Sequence, residues 1–224
     1  MIEFMMNNLG HLIPIILCGL VAISIFLERT VSLYMRYPLA TAKFLEKIRS
    51  LADQDRLNEG ISFCERYENK PVARVVKEGL MRAHQPQEIV EHGLLVAAGI
   101  ELDRIKARTP YLSMIANVST LLGLIGTILG LIQSFEAVSS ANPQARSALL
   151  AQGISTAMNH TLWGLSVAVP CMVIFSFLMN RTNRMKSEID RTVIRTLEIL
   201  RQRDIIVSDP DYVPPATPAK RRVI

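Results

Sequence analysis

Between Arg146 and Arg181 the chain reads SALLAQGISTAMNHTLWGLSVAVPCMVIFSFLMN, 34 consecutive residues (147–180) without a formal charge. A soluble helix of that length needs a solvated face with charges on it. A bilayer core of about 30 Å needs roughly 20 mostly apolar helical residues. The stretch therefore reads as a membrane span. Two further gaps repeat the pattern, 24 residues between Glu3 and Glu28 and 27 between Arg108 and Glu136. Three transmembrane helices are expected, near residues 9–28, 112–135 and 155–180.

The rest of the composition fits around those spans. Of 224 residues, half are hydrophobic, 25 are Lys or Arg and 20 are Asp or Glu. That excludes a disordered chain, a collagen and a disulfide scaffold. Cys18, Cys64 and Cys171 are too few and too scattered for a bridge framework or a structural metal site. The first span has Glu3 and no Lys or Arg on its N-terminal flank. Without that basic flank it reads as a retained anchor rather than a secretory signal.

Charge counting orients the chain. Residues 28–108 hold 14 Lys and Arg, residues 181–224 hold 10, and the link 136–146 holds only Arg146. The positive-inside tendency puts the two basic segments in the cytoplasm and the N-terminus outside. The net charge of +5 is thus a topology marker and not a nucleic-acid surface. Arg29, Arg181, Arg184 and Lys186 suit anionic lipid headgroups.

The expected architecture is an all-α polytopic membrane protein. Residues 1–28 form the outer N-terminus and first span, and 29–108 a cytoplasmic helical region. Residues 109–135 hold the second span, 136–146 a periplasmic link and 147–180 the third span. Residues 181–207 continue as a cytoplasmic helical extension, and 208–224, with four prolines, as a flexible tail. In the cytoplasmic region Ala40 to Leu57 reads as an amphipathic helix with Phe44, Leu45, Ile48, Leu51 and Ala52 inward. Asn58–Tyr67, Pro71–Ala83 and Pro86–Ala107 read as further helices, Pro71 sitting in a first turn. In the extension, Met185, Ile189, Val193, Leu197 and Leu200 recur at helical spacing.

No phosphate-binding glycine loop, HExxH, paired CxxC or GxSxG elbow occurs, so a soluble enzyme with a cofactor or metal is not expected. His11, His84 and His92 read as structural. The second and third spans are richer than plain anchors. Gly123, Gly126 and Gly130 share one face and let helices approach closely. Gly164 offers the same on the third span, and Pro170 removes one backbone hydrogen bond there. Thr127 lies beside the glycine face. Thr156, Asn159 and His160 fall within a turn of one another, and polar groups in a bilayer need a cavity or a partner. At about 1.5 Å per residue, Thr127 lies about 7 Å and Thr161 about 3 Å to the outer side of the midplane. A threonine-lined path through an oligomer follows. The spans hold no Asp, Glu, Lys or Arg, so His160 is their only titratable candidate and the main proton carrier should come from another subunit.

The runs GLIGTILGLIQSF and AQGISTAMNHTLWGLSVAVP, on this topology, resemble the MotA/TolQ/ExbB proton channel family in its three-span ExbB/TolQ branch. The resemblance implies a homopentamer around a single-span ExbD/TolR-like partner in the bacterial inner membrane. The partner's membrane Asp would carry the proton, and relative rotation would turn proton-motive force into work on the envelope. By motif position, Thr127 and Thr161 match the family's pore threonines. Many members carry a glutamate where this chain has Thr156, and aliphatic or small residues at the positions of Asn159 and His160. That departure removes a candidate second proton site and points also to a gliding-motility motor of the same family. A passive membrane scaffold is the competing reading, and sodium coupling stays open beside proton coupling.

Overall fold

The computed structural model describes residues 9–37 and 39–208, with side chains from residue 12. The expectations for residues 1–8, for the tail from residue 209 and for the His11 side chain lie outside the described residues. The elements are helical throughout, with no strand among the described residues. They are α1 (Leu9–Val31), a π-helical turn (Ser32–Arg36), α2 (Thr41–Ala52), α3 (Leu57–Glu65), α4 (Pro71–Met81), α5 (Gln87–Lys106), α6 (Thr109–Ser139) and α7 (Arg146–Ser208). Three helical stretches are long and apolar enough to cross a membrane; two contain the second and third charge-free gaps, and one covers the first gap from Leu12 on.

The chain forms two compact units. One comprises residues up to Arg36 with Asp103–Arg184, the other Tyr37–Leu102 with the residues from Met185 on. In the second unit, α2 buries Phe44, Leu45, Ile48, Leu51 and Ala52, the five positions its periodicity selects. Phe44 stacks on Phe63 at 5.4 Å between centroids, and Tyr67 meets both rings edge-on. Met185, Ile189, Val193 and Leu200 of α7 are buried, joined by Thr192 and Thr196. Each threonine hydroxyl donates to a carbonyl one turn back, at 2.8 Å, which lets a polar side chain sit in an apolar stripe.

α2 ends five residues earlier than its periodicity suggests. Asp55 adopts a left-handed conformation with φ 54°. The Arg56 amide bonds to Leu51 O and the Asp55 amide to Ala52 O, both at 2.9 Å. This paired closure normally uses glycine at the left-handed position. Here Asp55 takes that place and accepts from Arg203 Nε (2.9 Å) and Nη2 (2.8 Å). Arg203 is itself buried and also donates to Ala83 O at 3.3 Å. One guanidinium thus ties the α2–α3 turn, the α4–α5 turn and the end of α7. Elsewhere in the unit, burial pushes the Cys64 thiol from 9.0 up to about 12, so it stays protonated and unreactive. A hydrogen bond to Glu65 raises Lys77 above its ordinary value.

In the first unit the breaks fall where charges resume. Arg108, with φ 65°, separates α5 from α6, and Pro110 sits in the first turn of α6. Arg108 Nη1 donates to both carboxylate oxygens of Glu28, at 2.7 and 2.6 Å. The Arg181 guanidinium lies 5.3 Å from the centre of the Tyr34 ring, and its Nε donates to Leu33 O at 3.4 Å. These contacts fasten both ends of α1's charged flank to the other two spans. α6 continues past Glu136 to Ser139, so the link between α6 and α7 is shorter than the charge pattern alone suggests. α7 runs through Pro170 without interruption.

Candidate functional site

α6 and α7 run antiparallel along a seam of small residues. Gly130 faces Ala157, Gly126 faces His160, and Gly123 faces Thr161 and Gly164. A Cβ on Gly164 would stand 2.7 Å from Ser119 O and 2.9 Å from the Gly123 Cα. Both are backbone atoms, so the neighbour has no rotamer to escape into. In a bilayer such contact replaces the hydrophobic drive that holds soluble helices together. The glycine face expected from the sequence therefore serves the α6–α7 contact within one chain.

His160 belongs to this seam. It is 3% exposed, and its ring fills the space Gly126 leaves, where a Cβ would come within 2.6 Å of the His160 Cβ. The Nδ1 atom lies 2.9 Å from Thr156 O, and because a carbonyl only accepts, Nδ1 carries the proton.

The polar residues divide by side. Successive residues turn about 100° round a helix. In an antiparallel pair, one step C-terminal from the seam turns both helices toward the same side. Thr127 follows Gly126, and Thr161 follows His160, so the two threonines share one side. Thr156 precedes Ala157 and lies on the other side, while Asn159, two residues past Ala157, turns about 200° from it and faces away from α6. The five residues singled out in the sequence thus occupy four places: one flank, the seam, the opposite flank and the back of α7. The i, i+3 proximity of Thr156, Asn159 and His160 in sequence does not put them on one surface with Thr161.

The hydroxyls are partly committed. Thr127 donates to Leu124 O at 2.6 Å and Thr156 to Gln152 O at 3.0 Å. Thr161 reaches Gly123 O across the seam at 3.5 Å. With its proton held by a carbonyl, a threonine oxygen offers only lone pairs outward. Such a surface accepts from a proton donor, a protonated carboxyl or a hydrated cation, and not from a carboxylate. Thr127 and Thr161 are both half-exposed. Thr120 follows the seam residue Ser119 and stands exposed on the same flank. Sequence spacing alone missed it, and its position one residue after a small buried residue is the feature that finds it. Pro170 lies exposed on α7, four residues past Ser166, whose hydroxyl donates to Leu162 O at 2.7 Å. Among the described residues no group of His, Cys, Asp or Glu could hold a metal ion.

Residues 67–191 match the model of the MotA/TolQ/ExbB proton channel family. The chain is 27% identical over 154 residues to a putative biopolymer transport protein ExbB homolog of Methanothermobacter thermautotrophicus, covering 68% of this chain and 52% of that protein. It is 30% identical over 120 residues to the Tol-Pal system protein TolQ of Haemophilus influenzae, covering 54% and 48%. To the biopolymer transport protein ExbB of Salmonella typhimurium it is 24% identical over 204 residues, covering 87% and 81%. The chain spans about half the length of the first two of these relatives.

Proposed function

Because the chain belongs to the MotA/TolQ/ExbB proton channel family, we propose that it is the channel subunit of an inner-membrane motor driven by proton-motive force. Its copies would assemble as a pentamer round a single-span ExbD/TolR-like partner, N-terminus outside and C-terminus in the cytoplasm. The observation that carries this is the shared flank of Thr127 and Thr161 beside a glycine seam. A partner's Asp, protonated from the outer side, is a donor and suits their outward lone pairs. Once ionised it is repelled by them, so the same surface favours the loaded carrier and releases the unloaded one. The spans hold no Asp, Glu, Lys or Arg, which leaves the charge-carrying step to the partner.

The work output would go to an envelope process of the kind named for the relatives, biopolymer transport or the Tol-Pal system. In this reading the path is lined by Thr127 and Thr161. His160 holds the seam rigid, and Thr156 and Asn159 stand behind it. The test is the Asp→Asn variant of the partner beside Thr161→Val in this chain. Each is expected to abolish work output while the complex still co-purifies. Full output from both would overturn the proposal, as would failure of any single-span partner with a membrane Asp to co-purify.

A further inference from the structure

α2 and α3 form a helical hairpin in the second unit. The Asp55 turn closes it at one end, and Phe44 stacks on Phe63 toward the other, at 5.4 Å between centroids. Between the helices lies a groove of about 270 Å³. Its floor is apolar: Leu51 is 6% exposed, and Phe63 is half-buried. Its rim is basic. Lys47 stands on the α2 side, Arg56 and Arg66 on the α3 side, and Glu59 is the one carboxylate among the described lining residues.

Spacing decides what the groove can hold. Arg56, Glu59, Phe63 and Arg66 follow at steps of three, four and three, so they share one stripe of α3. Lys47 and Leu51, four apart, do the same on α2. Arg56 Nε donates to Glu59 Oε1 at 2.7 Å, but both side chains are 53% exposed, and such a pair is weak. Among the described residues Lys47 and Arg66 make no ion pair. Arg56 and Arg66 stand ten residues apart, about 15 Å along a helix. A phosphate or another point anion reaches only one of them. An extended chain rises about 3.3 Å per residue, so about five residues cover the distance. A cavity of about 150 Å³ takes a benzene ring, so this groove has room for one aromatic side chain over Leu51 and Phe63.

We propose that the hairpin groove binds an extended acidic segment of a partner protein, about five residues long, with a carboxylate at each end and an aromatic side chain between them. One carboxylate meets Arg66, the other meets Arg56, and Lys47 adds attraction from the α2 rim. The ring lies on Leu51 and Phe63 as the anchor. The cations speed encounter and reject basic segments. A second hairpin placed face to face would set basic rim against basic rim, which is unfavourable.

The experiment uses the full chain in detergent and a fluorescent probe peptide, Gly-Glu-Ser-Phe-Ser-Glu-Gly, read by anisotropy. Saturable binding is expected. Lys47→Glu and Arg66→Glu should each weaken it about tenfold, and so should alanine in place of the probe's phenylalanine. Ser62→Trp, at an exposed lining position, should fill the groove and abolish binding. Lys43→Glu makes the same charge change on an exposed α2 residue outside the lining and should leave the affinity within about twofold. Unchanged helical circular dichroism in each variant keeps folding out of the comparison. Equal losses in Lys43→Glu and Lys47→Glu would show diffuse attraction to a basic surface. Displacement of the probe by inorganic phosphate at constant ionic strength would show a point-anion site. Tighter probe binding after deletion of residues 209–224 would give the groove to the chain's own tail, and a disulfide between two Ser62→Cys copies would give it to a second copy. Each of these results overturns the proposal, as does the absence of binding. All of them leave the channel reading standing, since proton flux plays no part in the contact.

Discussion

Two glycines in similar surroundings show how differently the two units are held. Gly164, in the first unit, looks onto backbone: the Ser119 carbonyl oxygen at 2.7 Å and the Gly123 Cα at 2.9 Å from where a Cβ would stand. Gly79, in the second, looks onto side-chain ends: Leu94 Cδ2 at 2.8 Å and Thr196 Cγ2 at 3.1 Å. The distances are alike, but the neighbours are not. A leucine end can swing aside, and a helix backbone cannot move without its helix. In the spans, cohesion comes from backbones brought together. In the second unit it comes from side chains, with an aromatic triad at one place and the Arg203 clamp at another.

Four substitutions probe that contrast, from the strongest effect to the weakest. Gly164→Ala should be the most damaging, at about 3 kcal/mol, because overpacking here cannot be relieved by a rotamer change. Thermal unfolding in detergent reads it, and a melting curve like that of the unsubstituted chain would show that the seam gives way. Arg203→Met should lose about 2 kcal/mol, the scale of charge-assisted hydrogen bonds, since Asp55, Ala83 O and the end of α7 lose their common donor. Proteolysis in the α2–α3 turn should rise with it, and an unchanged cleavage pattern would remove the clamp from the account. Gly79→Ala should stay within about 1 kcal/mol of neutral, since the helix-propensity gain offsets the displaced Leu94. A loss equal to that of Gly164→Ala would erase the distinction drawn here.

The smallest effect appears only in alkali. Burial raises the Cys64 thiol from 9.0 to about 12, so the unfolded chain gives up the proton first. The stabilisation is complete below pH 9.0 and is lost as pH rises toward 12. Lys77, held up by Glu65, adds a loss of the same sign only above 10.5. Between those two values Cys64 contributes to the slope, and Cys64→Ala should reduce it. A slope unchanged in the variant would mean that Cys64 does not contribute to it.

The spans were legible because charge is absent from them, and absence over 34 residues has few other physical causes. The α2 core was legible for a related reason: a half-buried helix must alternate, and its five inward residues do. The stop at Asp55 was not, because a left-handed turn is usually marked by glycine and here an aspartate is held in place by Arg203, 148 positions away. In the candidate site, spacing gave the glycine face and both threonines but not their side of the seam. That depends on which helix α6 meets and in which direction it runs. The place of His160 was not legible either: opposite Gly126 it supplies the bulk that a missing side chain accommodates.

The central claim is that the ion path lies on the Thr127 and Thr161 side of the seam. Proton flux through vesicles containing the full chain with its single-span partner tests it most directly, comparing Thr161→Val with Thr156→Val. Both changes remove one hydroxyl at nearly constant shape, on opposite flanks of the same helix. Thr161→Val should stop the flux and Thr156→Val should leave it near the level of the unsubstituted complex. Flux lost in Thr156→Val and kept in Thr161→Val would place the path on the other side and contradict the account.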